Sequence, residues 1–212
     1  MIKVENIEVF NFEGAIRGMR NPLESHAKSD SEWVKVDEGL ENEWKYVIGK
    51  NDLELMHKLY KAGTEHRKYL RQIMVSMDIT APLYFYKEAD TYKVGTTSNS
   101  CSTMHTIHKK EFELDDFSHE HLTVHAEECL LSTIKVLNEY REAYIALKDK
   151  KMWWQMIQLL PSSYNQRRTI TMNYENVVNI IHQRSTHKLD EWQQFCGELS
   201  KLPYVLEIIG GM

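Results

Sequence analysis

Residues 80–100, TAPLYFYKEADTYKVGTTSNS, combine the residue types that could bind an anion. Lys93 and Gly95 are followed by two threonines, two serines and an asparagine. Backbone donors near a glycine, hydroxyl groups and one ammonium have the composition of an anion-binding loop. The spacing of a Walker phosphate loop is missing. The stretch is therefore either a solvated loop that follows a strand, or a loop whose donors converge on a ligand.

A second candidate site lies in MNYENVVNIIHQR, where a short strand is predicted to lead into a helix. Asn173 ends the strand, Asn179 lies one and a half turns into the helix, and Arg184 lies at its C-terminal end. Helical spacing turns Val178 and Ile181 inward and leaves Asn179 and Arg184 on neighbouring rows. An arginine at a helix C-terminus is also explained by the helix dipole alone.

Metal and cysteine chemistry have weaker support. His121 and His125 are four residues apart, but no HExxH pattern accompanies them, so we expect a solvated helix face and no metal. Cys101 would be a nucleophile only with a base and a lowered pKa, and a small residue in a tight loop is the simpler interpretation. The three cysteines lack CxxC spacing, which argues against a disulfide framework or a zinc site and favours a reducing compartment.

Composition limits the class of protein. The 212 residues are 42% hydrophobic and 27% charged with a net charge of −5, which is typical of one globular domain, and we assign residues 1–212 to it. A nucleic-acid-binding surface would normally show a basic excess. The absence of a long apolar run or an N-terminal apolar segment predicts a cytoplasmic protein with no membrane contact. The softest segment is expected at Asn21–Gly39.

Hydrophobic periodicity predicts an alternation of strands and helices. The predicted strands cover Ile2–Phe10, Val75–Tyr86 and Arg168–Asn173, and Pro82 suggests an edge or a bulge in the second. The predicted helices cover Glu13–Arg20, a segment from Asn51 or Asp52 as N-cap to Ala62, His66–Met74, Ser118–Lys148, the KMWWQMIQLLP segment closed by Pro161, Tyr174–Arg184 and Asp190–Leu202. Helices around a modest antiparallel sheet give an α+β fold.

The longest predicted helix, Ser118–Lys148, has Ser118 as its N-cap. Its proposed inward stripe consists of Leu122, Ala126, Cys129, Leu130, Thr133, Leu137, Tyr140, Tyr144 and Leu147. At 1.5 Å per residue it would span about 45 Å. We expect more apolar surface toward its far end than a small sheet covers, which predicts burial in a symmetric oligomer.

Three segments within residues 52–203 resemble the flavin-dependent thymidylate synthases. LELMHKLYKAGTEHRKYLRQIMVSMDITAP is similar to the family's helix, glycine and His-x-Thr-x-x-Glu stretch before a strand that ends Ala-Pro. LYFYKEADTYKVGTTSNSCSTM lies where the family has Arg-His-Arg, a serine and Arg-Tyr. LLPSSYNQRRTITMNYENVVNIIHQRSTH is similar to the family's Leu-Pro, aromatic strand and Asn-x-Arg-x-x-x-Asn-x-x-x-x-Arg run, with Asn173, Asn179 and Arg184 in step.

The resemblance implies an α+β homotetramer in which FAD lies between subunits and dUMP stacks on its ring. NADPH would reduce the flavin, and methylenetetrahydrofolate would supply the methyl group of thymidylate. The family makes no obligatory cysteine adduct with the uracil, so the weak case for Cys101 is compatible with it.

Residue by residue, the resemblance places the flavin at one set of positions and the nucleotide at another. It implies flavin contacts for His66, Arg71, Tyr92, Lys93, Asn173 and Asn179. It implies nucleotide contacts for Lys87, Glu88, Ser100, Ser102, Arg167 and Arg184, with Arg184 as the catalytic residue. Lys93 and Arg184 would reach one ligand from different subunits.

The sequence departs from the family where phosphate groups would be held. Lys68 and Arg71 replace the threonine and glutamate of the His-x-Thr-x-x-Glu motif, and residues 91–93, Thr-Tyr-Lys, replace Arg-His-Arg. Glu175 replaces the flavin-contacting arginine, so Arg71 and Glu175 together suggest a charge swap in one neighbourhood. Lysine does not replace the forked donors of arginine, which leaves Arg71, Lys87, Lys93, Arg167 and Arg168 to compensate.

Two hypotheses follow from the sequence. The first is a divergent enzyme that methylates dUMP or a related pyrimidine nucleotide with FAD, NADPH and methylenetetrahydrofolate. The second is a nucleotide-binding homologue that has kept the fold and lost the flavin and the synthase activity.

Overall fold

The computed structural model describes residues 1–36 and 44–210. The strands are β1 (Lys3–Phe10), β2 (Glu32–Lys35), β3 (Trp44–Val47), β4 (Met74–Pro82), β5 (Thr96–Ser100) and β6 (Asn165–Asn173). The α-helices are α1 (Phe12–Arg20), α2 (Lys50–Lys61), α3 (Leu83–Ala89), α4 (Thr103–Thr106), α5 (Val124–Leu147), α6 (Lys150–Leu159), α7 (Tyr174–Arg184), α8 (Asp190–Ser200) and α9 (Val205–Gly210). Within this part of the chain, each helix is too short or too polar to cross a membrane.

The main sheet has four antiparallel strands in the order β1-β4-β6-β5, and β2 and β3 form a separate two-stranded sheet. Val75 pairs with Met172 and Met77 with Ile170, so the alternating apolar residues of β4 and β6 share one face. The helices supply the rest of the core on that face, and the predicted α+β fold is confirmed.

The segment after β4 differs from the prediction of a strand through Tyr86. The strand ends at Pro82, and Leu83–Ala89 form α3, which buries Phe85 and Tyr86. Apolar residues at short spacing fit a strand or a buried helix equally well, and the proline marks the boundary. The prediction of an edge strand is also wrong, because β4 lies between β1 and β6, and the irregular pairing of β4 with β1 falls between Glu5 and Glu8, away from Pro82.

The hydroxyl-rich stretch after α3 is not only a loop. Thr96–Ser100 form the edge strand β5, in register with Met172 to Arg168 of β6. An edge strand exposed to solvent needs no apolar alternation, which is why the sequence pattern concealed it. The hydroxyl groups of the stretch are thereby fixed on the two faces of a sheet.

The described part of the predicted soft segment Asn21–Gly39 is hydrogen-bonded to a buried ion pair. Arg20 Nε lies 2.5 Å from Asp52 Oδ1, and both side chains are buried. Asp52 Oδ2 accepts hydrogen bonds from Ser29 Oγ at 2.7 Å and Ser31 Oγ at 2.6 Å. The part of Asn21–Gly39 after Val36 lies outside the described residues.

The capping of α2 was also predicted wrongly. Asp30 caps this helix from outside, accepting hydrogen bonds from the amides of Asn51 and Asp52, so neither of those residues is the cap. Gly63, with φ +105°, follows the helix as predicted. The helix expected at His66–Met74 is only a 3₁₀ turn at Lys68–Arg71.

The long helix is shorter than predicted. The helix α5 begins at Val124 after the N-cap Thr123 and has 24 residues, or about 36 Å. Ser118 does not cap it; Ser118 is buried and donates a hydrogen bond to Glu120 Oε2 at 3.1 Å. The predicted starts and ends of α1, α6, α7 and α8 agree with the structure to within about two residues.

The helix α5 packs on α6 and the chain before it to form a second hydrophobic cluster. Its buried members are Ile107, Phe112, Phe117, Leu130, Ile134, Leu137 and Met156. Tyr140 and Tyr144 pack against this cluster in their own chain, which corrects the expectation that an oligomer is needed to cover them. Of the predicted inward stripe, Leu122, Cys129 and Leu147 are exposed.

Candidate functional site

An apolar cavity of about 260 Å³ lies between the core face of the sheet and helices α3, α7 and α8. Its lining residues are Ile79, Phe85, Ala89, Asp90, Tyr92, Lys93, Thr96, Ser98, Ile170, Met172, Ile180, Trp192 and Phe195. Aromatic and aliphatic side chains form most of the wall, while Lys93, Asp90 and the hydroxyl groups of β5 provide polar groups. This combination is typical of a small-molecule site.

Arg184 lies beside this cavity, in contact with two of its aromatic residues. Its Nε donates to the Tyr92 hydroxyl at 3.0 Å, and its Nη1 lies 2.7 Å from Glu88 Oε2. The guanidinium carbon is 5.1 Å from the centre of the Trp192 ring and 5.8 Å from that of Tyr92. His187 approaches the same Glu88 oxygen at 3.2 Å. Three of the predicted site residues, Glu88, Tyr92 and Arg184, therefore meet at one place.

The loop that carries Lys93 is fastened to the start of α7. Asn173 caps α7 by accepting a hydrogen bond from the Asn176 amide at 3.0 Å. The Asn176 side chain donates to the carbonyl of Val94 at 2.6 Å. Gly95 has φ +72°, and a Cβ there would collide with the Asn173 amide group. Asn173 and the glycine therefore position the loop, and Lys93 lines the cavity in the same chain as Arg184.

The predicted charge swap occupies a separate place on the surface. Arg71 Nε lies 2.6 Å from Glu175 Oε2, and Arg67 Nε lies 3.3 Å from Glu175 Oε1. The prediction that Arg71 and Glu175 share one neighbourhood is confirmed. Glu175 therefore neutralises part of the positive charge of Arg67 and Arg71.

The remaining predicted residues are dispersed. His66 is exposed in the turn after α2, Lys87 is exposed on α3, and Asn179 is half-buried on α7. Ser102 caps α4 by accepting from the His105 amide at 3.2 Å. Ser100 pairs with Arg168 at the end of β5.

Arg167 and Arg168 point to opposite faces of the sheet, as strand alternation requires. Arg167 lies 2.7 Å from Asp78 on the polar outer face. Hydrogen bonds from Thr169, then from Arg167 and Asn6, hold the pKa of Asp78 well below its usual range. Arg168 lies on the cavity side, where its Nη1 is 2.7 Å from Asp90.

Sequence reasoning missed Asp90, His187 and Trp192 as site residues and named Arg168 only as a spare cation. Trp192 was expected inside, and it is fully buried, but nothing in its helical spacing indicated that it would line a cavity. A near-alternating pattern in NQRRTITMN could have placed Arg168 on the same face as Ile170 and Met172.

Cys196 is the cysteine that lies near this region and is buried. Burial raises the pKa of its thiol to about 11, although Arg184 acts in the opposite direction. A raised pKa disfavours the thiolate, which is the nucleophilic form of cysteine. Cys101 is exposed at the end of β5.

The fold defines the class to which this chain is similar: it is the fold of the flavin-dependent thymidylate synthases. One solved structure, thymidylate synthase X (ThyX) from Helicobacter pylori with FAD and dUMP, has a TM-score of 0.66 at 17% identity over 99% of this chain and 98% of that chain. A second structure of the same Helicobacter pylori enzyme, complexed with FAD and dUMP, has a TM-score of 0.66 at 18% identity over 97% and 98%. No family model and no curated protein matches the sequence.

The arginines that could hold the diphosphate of FAD are mostly engaged by carboxylates. Each of these pairs joins guanidinium and carboxylate atoms at 2.6–3.3 Å: Arg67 and Arg71 with Glu175, Arg167 with Asp78, Arg168 with Asp90, and Arg184 with Glu88. A diphosphate would have to displace these carboxylates. Within the described residues of one chain, none of these arginines is therefore unpaired for a diphosphate.

Proposed function

We propose that this chain binds a pyrimidine nucleotide of the dUMP type in the cavity between β5 and α8. The observation that carries the proposal is an aromatic cavity with one lysine at its wall and an arginine held beside it. A planar base can pack against aromatic side chains. Its phosphate needs a cation, which Lys93 provides.

The size of the cavity supports a mononucleotide in preference to a dinucleotide cofactor. Its volume, about 260 Å³, is just below the usual range for drug-sized ligands. Ser98 places a hydroxyl group, which can both donate and accept, in the wall. Arg184 keeps Tyr92 and Glu88 in place, so its main contribution is to order the wall of the cavity.

The second candidate is a divergent flavin-dependent thymidylate synthase that uses FAD, NADPH and methylenetetrahydrofolate to methylate this nucleotide. The observation that favours it is the similarity, over nearly the full length, to enzyme structures with FAD and dUMP. The engaged arginines argue against it. When bound, a flavin would supply the redox chemistry of that reaction.

Ligand binding separates the two candidates. Nucleotide binding alone predicts that dUMP raises the melting temperature by mass action while FAD has no effect. The flavin enzyme predicts that the purified protein is yellow, or takes up FAD and is stabilised by it. Titration calorimetry with dUMP, UMP, dTMP and FAD measures both, and an absence of binding by every nucleotide would refute the proposal.

We further propose that the chain acts in the cytoplasm as a single domain in a homotetramer. The support for assembly is the exposed apolar side chains of α5, Leu131 and Ile145, both more than 40% exposed. Leu131→Asp with Ile145→Asp should reduce the tetramer mass in light scattering. The matched change at exposed polar positions, Lys135→Asp with Glu142→Asp, should leave it unchanged. A wild-type monomer would refute the assembly.

A further inference from the structure

Asp90 is the one carboxylate among the residues that line the cavity. It is the first residue after α3, and 54% of its side chain is exposed. Its Oδ1 accepts a hydrogen bond from Arg168 Nη1 at 2.7 Å. Its Oδ2 is bonded to no residue in the two stretches that the structure describes. With one oxygen fixed, this carboxylate at the cavity wall keeps its second oxygen available to a ligand.

Arg168 holds this carboxylate from a rigid position. Its guanidinium carbon lies 3.8 Å from the centre of the Tyr86 ring, close enough for a stacked cation–π contact. Its Nε donates to Gln166 Oε1 at 2.9 Å, and only 15% of its side chain is exposed. The guanidinium contacts the Tyr86 ring, the Gln166 side chain and the Asp90 carboxylate at the same time, so it has little freedom to move.

The position of Asp90 is unfavourable for helix stability alone. It follows the C-terminal end of α3, where the helix dipole disfavours a negative charge. Tyr86, which supports Arg168, lies on the same helix and donates its own hydroxyl to the carbonyl of Ile79 at 2.7 Å. Tyr86 and Arg168 thus hold the Asp90 carboxylate at the cavity wall, in a position that the helix dipole alone would not favour.

We infer that Asp90 accepts a hydrogen bond from a sugar hydroxyl of the bound nucleotide and that Arg168 is the residue that positions it. The inference rests on the proposed nucleotide site. A carboxylate repels a phosphate, so the phosphate lies on the side of Lys93 and the sugar on the side of Asp90. A carboxylate that accepts from a ribose hydroxyl is also how dinucleotide-binding folds recognise the sugar.

The test removes each end of this hydrogen bond in turn. Binding of dUMP and of 2′,3′-dideoxyuridine monophosphate, which lacks the 3′-hydroxyl, is measured by calorimetry for the wild type, Asp90→Ala and the control Asp115→Ala. Asp115 is exposed and distant in sequence from the lining residues. The wild type and the control should bind dUMP about 10-fold more tightly than the dideoxy analogue, since hydrogen bonds to charged groups contribute at least this much.

The Asp90→Ala variant should lose about 10-fold in dUMP affinity and bind both nucleotides equally. Equal discrimination by the wild type and Asp90→Ala would overturn the inference, because the sugar would then be recognised elsewhere or Asp90 would accept from the base. Failure of the wild type to bind dUMP at all would instead overturn the proposed function and this inference together.

The role of Arg168 has its own measurement. Arg168→Lys keeps the charge but loses the fork and the flat contact with Tyr86. A positioning role predicts that the preference for dUMP over the dideoxy analogue falls in this variant as it does in Asp90→Ala. A lower melting temperature with the preference intact would show that Arg168 supports only the fold, and would overturn its assignment.

Discussion

Two regions of the molecule differ in how completely they are packed: the sheet-centred region, which is the four-stranded sheet with the helices on its core face, and the hairpin of α5 and α6. In the first region, helices cover one face of β4 and β6, and β1 and β5 flank these two strands. The cavity lies between the sheet and the helices. In the second, two helices and the segment 103–117 enclose only a small cluster, and Leu131 and Ile145 stay exposed. A sheet and several helices can enclose a cavity between them, whereas two packed helices leave one face of each helix exposed to solvent. The proposed ligand site lies in the first region, and the surface proposed for assembly lies on the second.

The largest expected effect is at the buried ion pair of the sheet-centred region. Arg20→Met leaves the Asp52 carboxylate without its guanidinium, and removal of one partner of a buried pair costs about 3–5 kcal/mol. The double variant Arg20→Met, Asp52→Leu should recover only part of that loss in urea denaturation, because it removes the unpaired charge but leaves the donors of Ser29, Asp30 and Ser31 without their acceptor. A single variant as stable as the wild type would show that Ser29 and Ser31 suffice to hold Asp52.

A substitution in the core of the α5–α6 hairpin should lower stability without loss of nucleotide binding at the cavity. Leu137→Ala opens the second cluster, where Leu137 is fully buried, and should cost about 3 kcal/mol. Affinity for dUMP should be unchanged under conditions where the protein remains folded. Loss of binding in step with hairpin stability, measured by hydrogen exchange and calorimetry, would abolish the distinction between the regions.

Acid should act on the sheet-centred region through Asp52. Burial raises the pKa of this carboxyl, but hydrogen bonds from Ser31, Ser29 and Arg20 outweigh it and lower the pKa below its ordinary value. A lowered folded-state pKa contributes stability that is complete above the unfolded pKa of about 3.9 and is lost as the pH falls through the folded pKa. The variant Asp52→Asn should lose less free energy of unfolding than the wild type as the pH falls through this range, whereas the control Asp115→Asn should lose as much as the wild type.

The smallest effect concerns Lys93 in the cavity wall. Lys93→Gln should weaken dUMP binding about five-fold at low salt, with less loss at high salt because an exposed charge is screened. The control Lys135→Gln changes an exposed lysine of the hairpin and should have no effect. A salt-independent loss would indicate that Lys93 acts through the shape of the loop instead of its charge.

Much of the fold could be predicted because local rules and tertiary packing agreed. For α7, apolar spacing after the strand predicted Tyr174–Arg184, and the structure has those bounds with Asn173 as the N-cap. Glu88, Tyr92 and Arg184 were named as site residues on the resemblance, and the structure brings them together. Where packing competes with local pattern the prediction was wrong: Leu83–Tyr86 were predicted as the end of a strand, and they belong to a helix.

The sequence by itself determined the helices with clear periodicity and the α+β class, since both depend on spacing along the chain, and the resemblance carried by its motifs indicated the shared neighbourhood of Arg71 and Glu175. Only the tertiary structure decided that Thr96–Ser100 form an edge strand, that Arg168 and Asp90 meet beside a cavity, and that Tyr140 and Tyr144 are covered within their own chain. These features depend on strand register and on contacts between distant segments. A one-residue difference, as between Arg167 and Arg168, reverses the face and with it the chemistry.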